Sequence, residues 1–573
     1  MTSFDYVVVG GGTAGLLVAA RLAEERSVTV CVLEAGEDLR DNLDIQVPGF
    51  AQRARLKSTD WAFTTIPQAV NNQPIYIPRG KGLGGSSSLN YSDTEVEAFG
   101  LEPDRELYGD GPIMTTLPRA CAEYWPQFVK ACEEIGLEYN KNAMSGNNIG
   151  LWPSANAIHP DTATRISSAT AYYEPIKNQE NLVVITGAQV SRIIFRDAAL
   201  GDDHKAESVE YHKDDKIITI SVKKEVILSA GSIQTPQILE LSGIGDEKLL
   251  ELHDIPSIIH LPGVGENLRR RFNPPNSDIF SSVETQEHHG TYLVNEINDN
   301  YESFDVLRDP VRAAQEWEFL YVFNLLCQQE RRGMFATIPI QFGFVPLRIL
   351  PEIDQIRKIA SDLPMGDIHP ASFKLFQEWL QGDLDRSSAI EIILVPYMMP
   401  TRERRDPDPG KKYISLILYL THPFARGSVH INSADPLKPP SIDFSALDNP
   451  VDLAILKSGI KLGRQIFDAA ALKDVVAQEI LPGSSIQEDA DIEDYIKRQV
   501  GTSFHPLGSA AMLPREEGGV VDANLKVYGT KNLRVVDASI IPIQIASHPM
   551  ATIYAIAEKA ADIIKLNTNE IGY

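Results

Sequence analysis

Asp5-Tyr-Val-Val-Val-Gly10-Gly-Gly12-Thr-Ala-Gly15 is the stretch of sequence that decides the fold, together with Val30-Cys-Val-Leu-Glu34 downstream. The apolar run before Gly10 predicts a buried parallel strand, a helical period follows Gly15, and the second apolar run predicts a strand ending at Glu34. Glycines at G-x-G-x-x-G spacing permit a tight turn, close approach of a pyrophosphate and close packing of helix on strand. With an acid placed to accept from a ribose hydroxyl, these features predict a Rossmann-like dinucleotide site.

Length and composition predict a multidomain globular enzyme. The chain has 573 residues, 43% of them hydrophobic and 23% charged, which suggests about three or four units of roughly 150 residues. The formal charge of −25 argues against nucleic acid and anionic membrane as partners, since both repel an acidic surface. No stretch reaches the roughly 18 apolar residues that a membrane span needs.

We expect a cytoplasmic location, because the sequence shows no recognisable targeting signal. The first predicted strand begins almost at Met1, so this sequence shows no basic and apolar leader before it, and a leader already removed stays an open alternative. Asn90-Tyr-Ser92 is the single Asn-x-Ser/Thr acceptor, whereas a secreted enzyme of this size usually offers several. The four cysteines show no metal-ligand spacing, so no metal site is predicted.

A second glycine-rich stretch, Arg79-Gly80-Lys-Gly82-Leu-Gly84-Gly85-Ser86-Ser87-Ser88-Leu89-Asn90, predicts a packed loop facing an anion rather than a flexible linker. Together with the first stretch it resembles the FAD-dependent glucose-methanol-choline (GMC) oxidoreductases, in particular fungal aryl-alcohol and glucose dehydrogenase-like members. The resemblance continues along nearly the whole chain. Ser229-Ala-Gly231-Ser-Ile-Gln-Thr-Pro236 is similar to the second signature of the family, and Leu261-Pro-Gly263-Val-Gly265-Glu-Asn267 follows in the family's order.

The resemblance implies an α/β fold of two discontinuous domains. We expect a Rossmann-like FAD-binding domain from residues 1–92, 181–268 and 500–573. Residues 93–180 and 269–499 would form a substrate-binding domain, an antiparallel sheet flanked by helices. Within them, apolar periodicity predicts helices over 119–136, 310–327, 371–381 and 553–564 and strands over 390–395 and 414–420.

The resemblance also assigns the chemistry. His505 would be the base that takes the hydroxyl proton, and His548 would orient the substrate oxygen, although a histidine before proline is in general more often structural. The implied cofactor is FAD, held without a covalent bond because Leu89 stands where tethered relatives carry histidine. The expected cofactor-binding residues are Gly10, Gly12, Thr13, Ala14, Gly15, Glu34, Ala35, Arg79, Gly82, Gly84, Gly85, Ser86, Ser87, Asn90, Val190, Ala230, Gly231, Asp537, Ala538, His548, Pro549 and Met550.

The function implied is oxidation of a primary alcohol, aromatic or otherwise apolar, to the aldehyde in a biosynthetic, secondary-metabolic setting. Sugar oxidation, non-redox lyase chemistry and a catalytically silent flavin scaffold stay open, as do oxidase against dehydrogenase and the oligomeric state. Two departures from the family pattern matter. The lid after Tyr91 is shortened, or part of it is absent from this sequence, and Arg269-Arg-Arg271 either faces an anionic group or forms a solvated turn.

Overall fold

A computed structural model describes most of the chain: residues 2–89, 111–115, 122–143, 146–153, 157–196, 199, 202–266, 286–318, 334, 341–363, 370–381, 387–400 and 406–570. The residues after Tyr91 expected to form a lid, and the arginines from Arg269 to Arg271, lie outside the described residues.

The strands are β1 (Ser3–Val9), β2 (Val30–Leu33), β3 (Phe63–Thr64), β4 (Tyr76–Ile77), β5 (Gly150–Pro153), β6 (Leu182–Ile185), β7 (Gln189–Arg196), β8 (Lys205–Lys213), β9 (Lys216–Leu228), β10 (Ile244–Gly245), β11 (Ile259–His260), β12 (His289–Ile297), β13 (Gln341–Pro346), β14 (Ser388–Val395), β15 (Tyr413–Leu420), β16 (Ser428–His430), β17 (Ser441–Asp443), β18 (Val476–Leu481), β19 (Gly501–Thr502) and β20 (Leu533–Val535). The α-helices are α1 (Thr13–Ala23), α2 (Leu43–Gln46), α3 (Trp125–Glu134), α4 (Gly231–Leu241), α5 (Glu247–Leu252), α6 (Pro310–Gln315), α7 (Ile353–Asp362), α8 (Pro370–Gln381), α9 (Pro450–Phe467), α10 (Asp489–Gln499) and α11 (Met550–Glu570).

The first sheet has seven strands in the order β6-β2-β1-β9-β8-β7, with β20 also paired to β9. Strands β6, β2, β1, β9 and β20 run parallel, whereas β7 and β8 form an antiparallel extension. The four residues of β2 are all buried, as expected of a parallel strand covered on both faces. Turns at the carboxyl ends of β1 and β9 therefore meet at one edge of the sheet.

The C-terminal segment completes this domain. Strand β20 pairs with β9 through Leu533↔Val226, and α11 packs on α1, where the guanidinium of Arg21 pairs with the carboxylate of Glu558 at 2.7 Å. The two ends of the chain thus build one unit around β9.

The second sheet is antiparallel and also has seven strands, in the order β18-β12-β15-β14-β13-β5, with β19 paired to β12. The side chains of β14 alternate between two apolar clusters: Ile390, Ile392 and Leu394 share a core with Ile455 and Leu456 of α9, whereas Ile393 and Val395 lie on the opposite face. A helix-covered antiparallel sheet is what was predicted for the substrate-binding domain.

The structure differs from the sequence prediction in several places. The segment of residues 157–176, placed with the substrate domain, packs instead in the core of the first sheet through Ile166, Ala169 and Tyr172, because its apolar side chains face α1. Helix α3 covers Trp125–Glu134, a shorter span than the predicted 119–136. The other domain boundaries stay a prediction. No helix in the described part of the chain is both long and apolar enough to cross a membrane.

Candidate active site

The three glycines of the turn between β1 and α1 differ in how much space lies beside their Cα atoms. A Cβ on Gly10, whose φ is +100°, would lie 2.4 Å from the carbonyl oxygen of Ser229, and one on Gly15 would lie 2.0 Å from that of Gly10. A Cβ on Gly12 would meet only Gly85 at 3.8 Å. Gly10 and Gly15 are therefore required by the protein itself, whereas Gly12 keeps open the space in which a pyrophosphate fits.

Glu34 closes the end of β2. Its Oε1 accepts from the backbone N–H of Gly36 and its Oε2 from that of Gly11, each at 2.8 Å. Burial raises the pKa of this carboxyl, and the two N–H groups oppose that rise. Since each carboxylate oxygen carries two acceptor sites, Glu34 orders the glycine turn and keeps acceptor capacity for a ribose hydroxyl.

A cleft with about 950 Å³ of space outside protein atoms, part of it open to solvent, runs along this edge of the sheet. Fourteen of the predicted cofactor-binding residues line it: Gly10, Gly12, Thr13, Ala14, Glu34, Ala35, Arg79, Gly85, Ser86, Val190, Ala230, Gly231, Asp537 and Ala538. They come from five separate parts of the sequence, which the first sheet brings together.

The remaining predicted cofactor residues lie around the cleft rather than on its wall. Gly15, Gly82, Gly84 and Ser87 support the two glycine-rich turns, and His548, Pro549 and Met550 lie at the start of α11. Ile553, one turn into that helix, lines the cleft. Asn90 lies outside the described residues. Leu89 is buried against Leu39, Ile45 and Ala54.

Polar atoms without a protein partner fit a polar ligand in the cleft. Among the residues that the structure describes, the hydroxyl of Ser229 and the Nε of Arg79 are buried and have no hydrogen-bond partner, and both residues line the cleft. Burial lowers the pKa of Arg79 to about 10, opposed by the carboxylates of Glu287 and Asp60, so its guanidinium stays cationic at neutral pH. A dinucleotide with an anionic pyrophosphate and polar rings suits this set of groups.

Asp537 ties the C-terminal segment to the cleft. Its Oδ2 accepts from the N–H of Gly231 and the hydroxyl of Thr235, and its Oδ1 accepts from the N–H and hydroxyl of Ser539, at 2.5–2.9 Å. Burial raises the pKa of this carboxyl. Asp537 therefore holds the first turn of α4 against the segment from β20, so that both contribute backbone to the cleft wall.

His505 and His548 come together beyond the end of the cleft. Their ring centroids are 4.8 Å apart, although the two residues come from different loops. Pro506, next to His505, lines the cleft, as does Ile553 after His548. The structure thus brings the two predicted catalytic histidines to one place beside the predicted cofactor space.

His548 has a carboxylate partner that the sequence did not identify. Its Nε2 lies 2.9 Å from Oε1 of Glu391, a residue of β14 whose side chain is 1% exposed. Burial by itself lowers the pKa of His548, but the charge and hydrogen bond of Glu391 outweigh it and raise the pKa above the usual value. Glu391 therefore favours the cationic form of His548.

His505 shows the opposite shift. Burial lowers its pKa well below the ordinary value, and the neighbouring charges of His548, His288 and Arg79 lower it further. A histidine held neutral can accept a proton, and one held cationic can stabilise negative charge on oxygen. Titratable groups whose environments move their pKa values apart are typical of an acid–base pair.

An aromatic surface adjoins the histidine pair. Phe342 of β13 meets the ring of His548 edge-on at 4.7 Å, and Trp152 packs on Phe342 at 5.5 Å. The same face of the second sheet carries Phe344, Tyr419 and, partly buried, Tyr292, Tyr397 and Met399. We call the residues of this cluster the aromatic face.

Sequence reasoning missed Glu391, Glu287 and the aromatic face. Glu391 did carry a signal, because it is the single acid in the apolar strand Ser388–Val395, and a buried charge usually has a partner. Glu287 carried no recognisable sequence pattern. The aromatic residues come from four strands whose pairing could not be deduced from spacing.

Fold and site together define a flavin-dependent oxidoreductase, and the chain belongs to the GMC oxidoreductase family. Residues 117–272 and 423–557 match the two GMC oxidoreductase profiles, and residues 8–45 match an NAD(P)-binding Rossmann-like domain. The chain is 33% identical to the GMC oxidoreductase family protein Mala s 12 of Malassezia sympodialis, over 98% of this chain and 92% of that protein.

Solved structures agree with this assignment. An FAD-dependent oxidoreductase from Chaetomium thermophilum has a TM-score of 0.84 and 25% identity, covering 99% of this chain and 100% of its own. A fungal aryl-alcohol oxidase has a TM-score of 0.79 and 26% identity, covering 98% and 99% respectively. The protein is an FAD-dependent oxidoreductase acting on a small molecule.

Proposed function

We propose that the protein oxidises a primary alcohol, aromatic or otherwise apolar, to the corresponding aldehyde. The observation that carries the proposal is the His505–His548 pair, whose pKa values move in opposite directions beside a cleft lined by the predicted cofactor residues. Alcohol oxidation needs a base for the hydroxyl proton and a positive group for the oxygen, and the pair offers both.

In the proposed mechanism, FAD when bound supplies the acceptor for the hydride that leaves the carbinol carbon. His505, neutral because of its burial, accepts the hydroxyl proton. His548, cationic because of Glu391, donates a hydrogen bond to the same oxygen and stabilises its developing negative charge. The pair also orients the alcohol, since its oxygen must lie within hydrogen-bond distance of both rings.

The aromatic face supports an apolar substrate. Phe342 contacts His548 directly, so a group attached to the carbinol carbon meets aromatic surface as soon as its oxygen reaches the histidines. An aromatic ring of the substrate that packs edge-on against such side chains gains about 0.5–1.5 kcal/mol of binding free energy in addition to that from its buried area. That one structural relative is an aryl-alcohol oxidase agrees with this choice.

Non-covalent attachment of FAD belongs to the same proposal. Leucine has no nucleophile, and Leu89 is buried among apolar side chains, away from any base that could activate a neighbouring serine. The location in the cytoplasm and the biosynthetic role stay predictions that rest on the single glycosylation acceptor and on the resemblance.

An anaerobic reduction experiment tests the proposal. The purified holoenzyme is mixed with benzyl alcohol, cyclohexylmethanol, ethanol, glucose or gluconate at equal concentration, and loss of flavin absorbance is followed by stopped flow. We expect benzyl alcohol to reduce the flavin fastest and cyclohexylmethanol next. The product is identified as aldehyde by chromatography.

The outcomes separate the alternatives. Fastest reduction by glucose would replace an apolar alcohol with a sugar as the substrate class. Absence of reduction by every alcohol, with dithionite still reducing the flavin, would favour a lyase or a silent scaffold.

A further inference from the structure

The loop that carries His505 is held by one buried carboxylate. Oε1 of Glu287 accepts from the backbone N–H of His505 at 2.9 Å, from that of His288 at 2.8 Å and from the hydroxyl of Ser503 at 3.3 Å. Glu287 has no exposed surface. The carboxylate thus fixes the backbone of His505 and also reaches the hydroxyl two residues before it.

The hydroxyl of Ser503 connects this carboxylate to the imidazole ring. It lies 2.9 Å from Nδ1 of His505. A serine hydroxyl has one proton to donate, whereas an ionised carboxylate only accepts. If Ser503 donates to Glu287, its oxygen is left to accept, and Nδ1 of His505 must carry the proton.

The alternative arrangement is less favourable while Glu287 is ionised. Ser503 would then donate to Nδ1, Oε1 of Glu287 would keep its two backbone donors but lose the hydroxyl, and Nε2 would carry the ring proton. Losing a hydrogen bond to a buried charged group is costly, because the group also has no water. Arg79, whose guanidinium donates to the carbonyl of Phe504, adds positive charge next to Glu287 and favours its ionised form.

Backbone geometry points the same way. Phe504, between Ser503 and His505, has φ of +67°, a conformation that non-glycine residues rarely adopt and that surrounding contacts must hold. Its N–H donates to the hydroxyl of Thr502 at 3.0 Å and its carbonyl accepts from Arg79. The turn therefore places the Ser503 hydroxyl beside the ring rather than away from it.

We propose that Glu287 and Ser503 are positioning residues that hold His505 in its Nδ1-protonated tautomer and so leave Nε2 unprotonated as the base. This inference rests on the proposed role of His505. In the step it serves, the O–H bond of the alcohol breaks, the new N–H bond forms at Nε2, and Nδ1–H keeps its bond to Ser503 as the ring becomes cationic. After the aldehyde has left, the proton on Nε2 passes to solvent water, and the ring returns to its neutral, Nδ1-protonated form.

The ionisation of Glu287 sets a pH limit on this arrangement. Burial raises the pKa of Glu287 to about 7, opposed by the N–H of His505 and the charge of Arg79. The groups facing His505 are Arg79, His288 and His548. When Glu287 is protonated it can donate to Ser503, and the tautomer preference is lost. We therefore expect flavin reduction to rise with pH near 7, and this rise to disappear in Glu287→Gln.

Nitrogen-15 NMR of histidine-labelled holoenzyme tests the tautomer directly. Protonated and unprotonated ring nitrogens have well-separated shifts, and the His505 signals are identified by their loss in His505→Ala. At pH 8 we expect protonated Nδ1 and unprotonated Nε2 in the wild type, and a mixture or the reverse in Ser503→Ala. Protonated Nε2 in the wild type, or an unchanged tautomer in Ser503→Ala, would overturn the inference.

Kinetics provide the second test. We expect Ser503→Ala to lower the rate of flavin reduction by benzyl alcohol at least ~10-fold, with an upper bound of ~10⁴-fold from enzymes whose catalytic histidine is held in the wrong tautomer. Alcohol Kd should hardly change. Ser503→Thr, which keeps the hydroxyl, should restore most of the rate. Ser509→Ala is the matched control, because its buried hydroxyl bonds the carbonyl of Ser232 and does not touch His505.

Different experimental results would reject the proposed role of His505 and the proposed role of Ser503 and Glu287. If His505→Ala reduces its flavin at the wild-type rate, His505 is not the base and the proposed mechanism falls. If His505→Ala is slow while Ser503→Ala is as fast as Ser509→Ala, the base stands and the role of Ser503 and Glu287 is rejected.

Discussion

Gly12→Ala separates cofactor binding from folding. The added methyl would meet only Gly85, at 3.8 Å, which is an ordinary contact distance, and φ of −89° at Gly12 suits alanine. Alanine is a poorer N-cap than glycine by at most about 1 kcal/mol, and it gains about 0.4–1 kcal/mol from lower entropy of the unfolded chain. We therefore expect the apoprotein to keep its melting temperature.

FAD affinity should fall, because the methyl occupies the space in which the pyrophosphate approaches the backbone. Loss of one charge-assisted hydrogen bond costs about 1.5–3 kcal/mol. This converts to a roughly 10- to 150-fold rise in Kd at about 1.4 kcal/mol per tenfold. The loss is a binding effect, so excess FAD should restore part of the activity.

Fluorescence titration of apoprotein with FAD gives Kd, and thermal unfolding of the same apoprotein gives its stability. Gly15→Ala is the contrasting variant: its Cβ would lie 2.0 Å from a backbone oxygen, so we expect an overpacking cost of about 1–3 kcal/mol or more in the apoprotein. Gly111→Ala is the neutral control, since its Cβ meets no described residue within 4 Å. Wild-type Kd in Gly12→Ala would show that the pyrophosphate does not bind at this turn.

Three further predictions concern the histidines and the flavin. His505→Ala and His548→Ala should each lower turnover roughly 10²- to 10⁴-fold while FAD stays bound, and full activity of either variant would remove that residue from the mechanism. Burial lowers the pKa of His430, but Glu240 and Glu266, at 2.6 and 2.7 Å, outweigh it and hold the pKa well above the usual value. Its stabilising effect is therefore complete below about pH 6.5 and declines as pH rises through the folded pKa. The difference in melting temperature between wild type and His430→Gln should shrink from pH 6 to pH 9, and a constant difference would contradict this. Finally, acid precipitation should release FAD into the supernatant, whereas a yellow pellet would show a covalent bond.

The parts of the site visible in the sequence are those that depend on local spacing. Gly10, Gly12, Gly15 and Glu34 lie within one βαβ unit, so their roles follow from their order along the chain. His505 and His548 were found through a resemblance, since neither has a local feature that separates it from a structural histidine.

The parts that were missed depend on contacts between distant strands. Glu391 reaches His548 from another sheet, and Glu287 meets Ser503 across 216 positions of sequence. Residues 157–176 were misassigned because their apolar pattern does not reveal which of two cores they join. Which side chains are buried, and which residues they contact, depends on the assembled fold. Hydrophobic periodicity and composition therefore could not predict these contacts.

Strand β9 pairs both with β1, near the start of this sequence, and with β20, near its end. During synthesis the flavin-binding cleft is therefore incomplete until the segment from β20 to the first turn of α11 has left the ribosome, because Asp537 and Ile553 line its wall. Until then, apolar edges of β9 and α1 are exposed, a situation that favours aggregation in slowly folding chains of high contact order. Acquisition of FAD is consequently a late event that reports on the integrity of the entire polypeptide, so a nascent or truncated chain should be colourless even if much of its first sheet has formed.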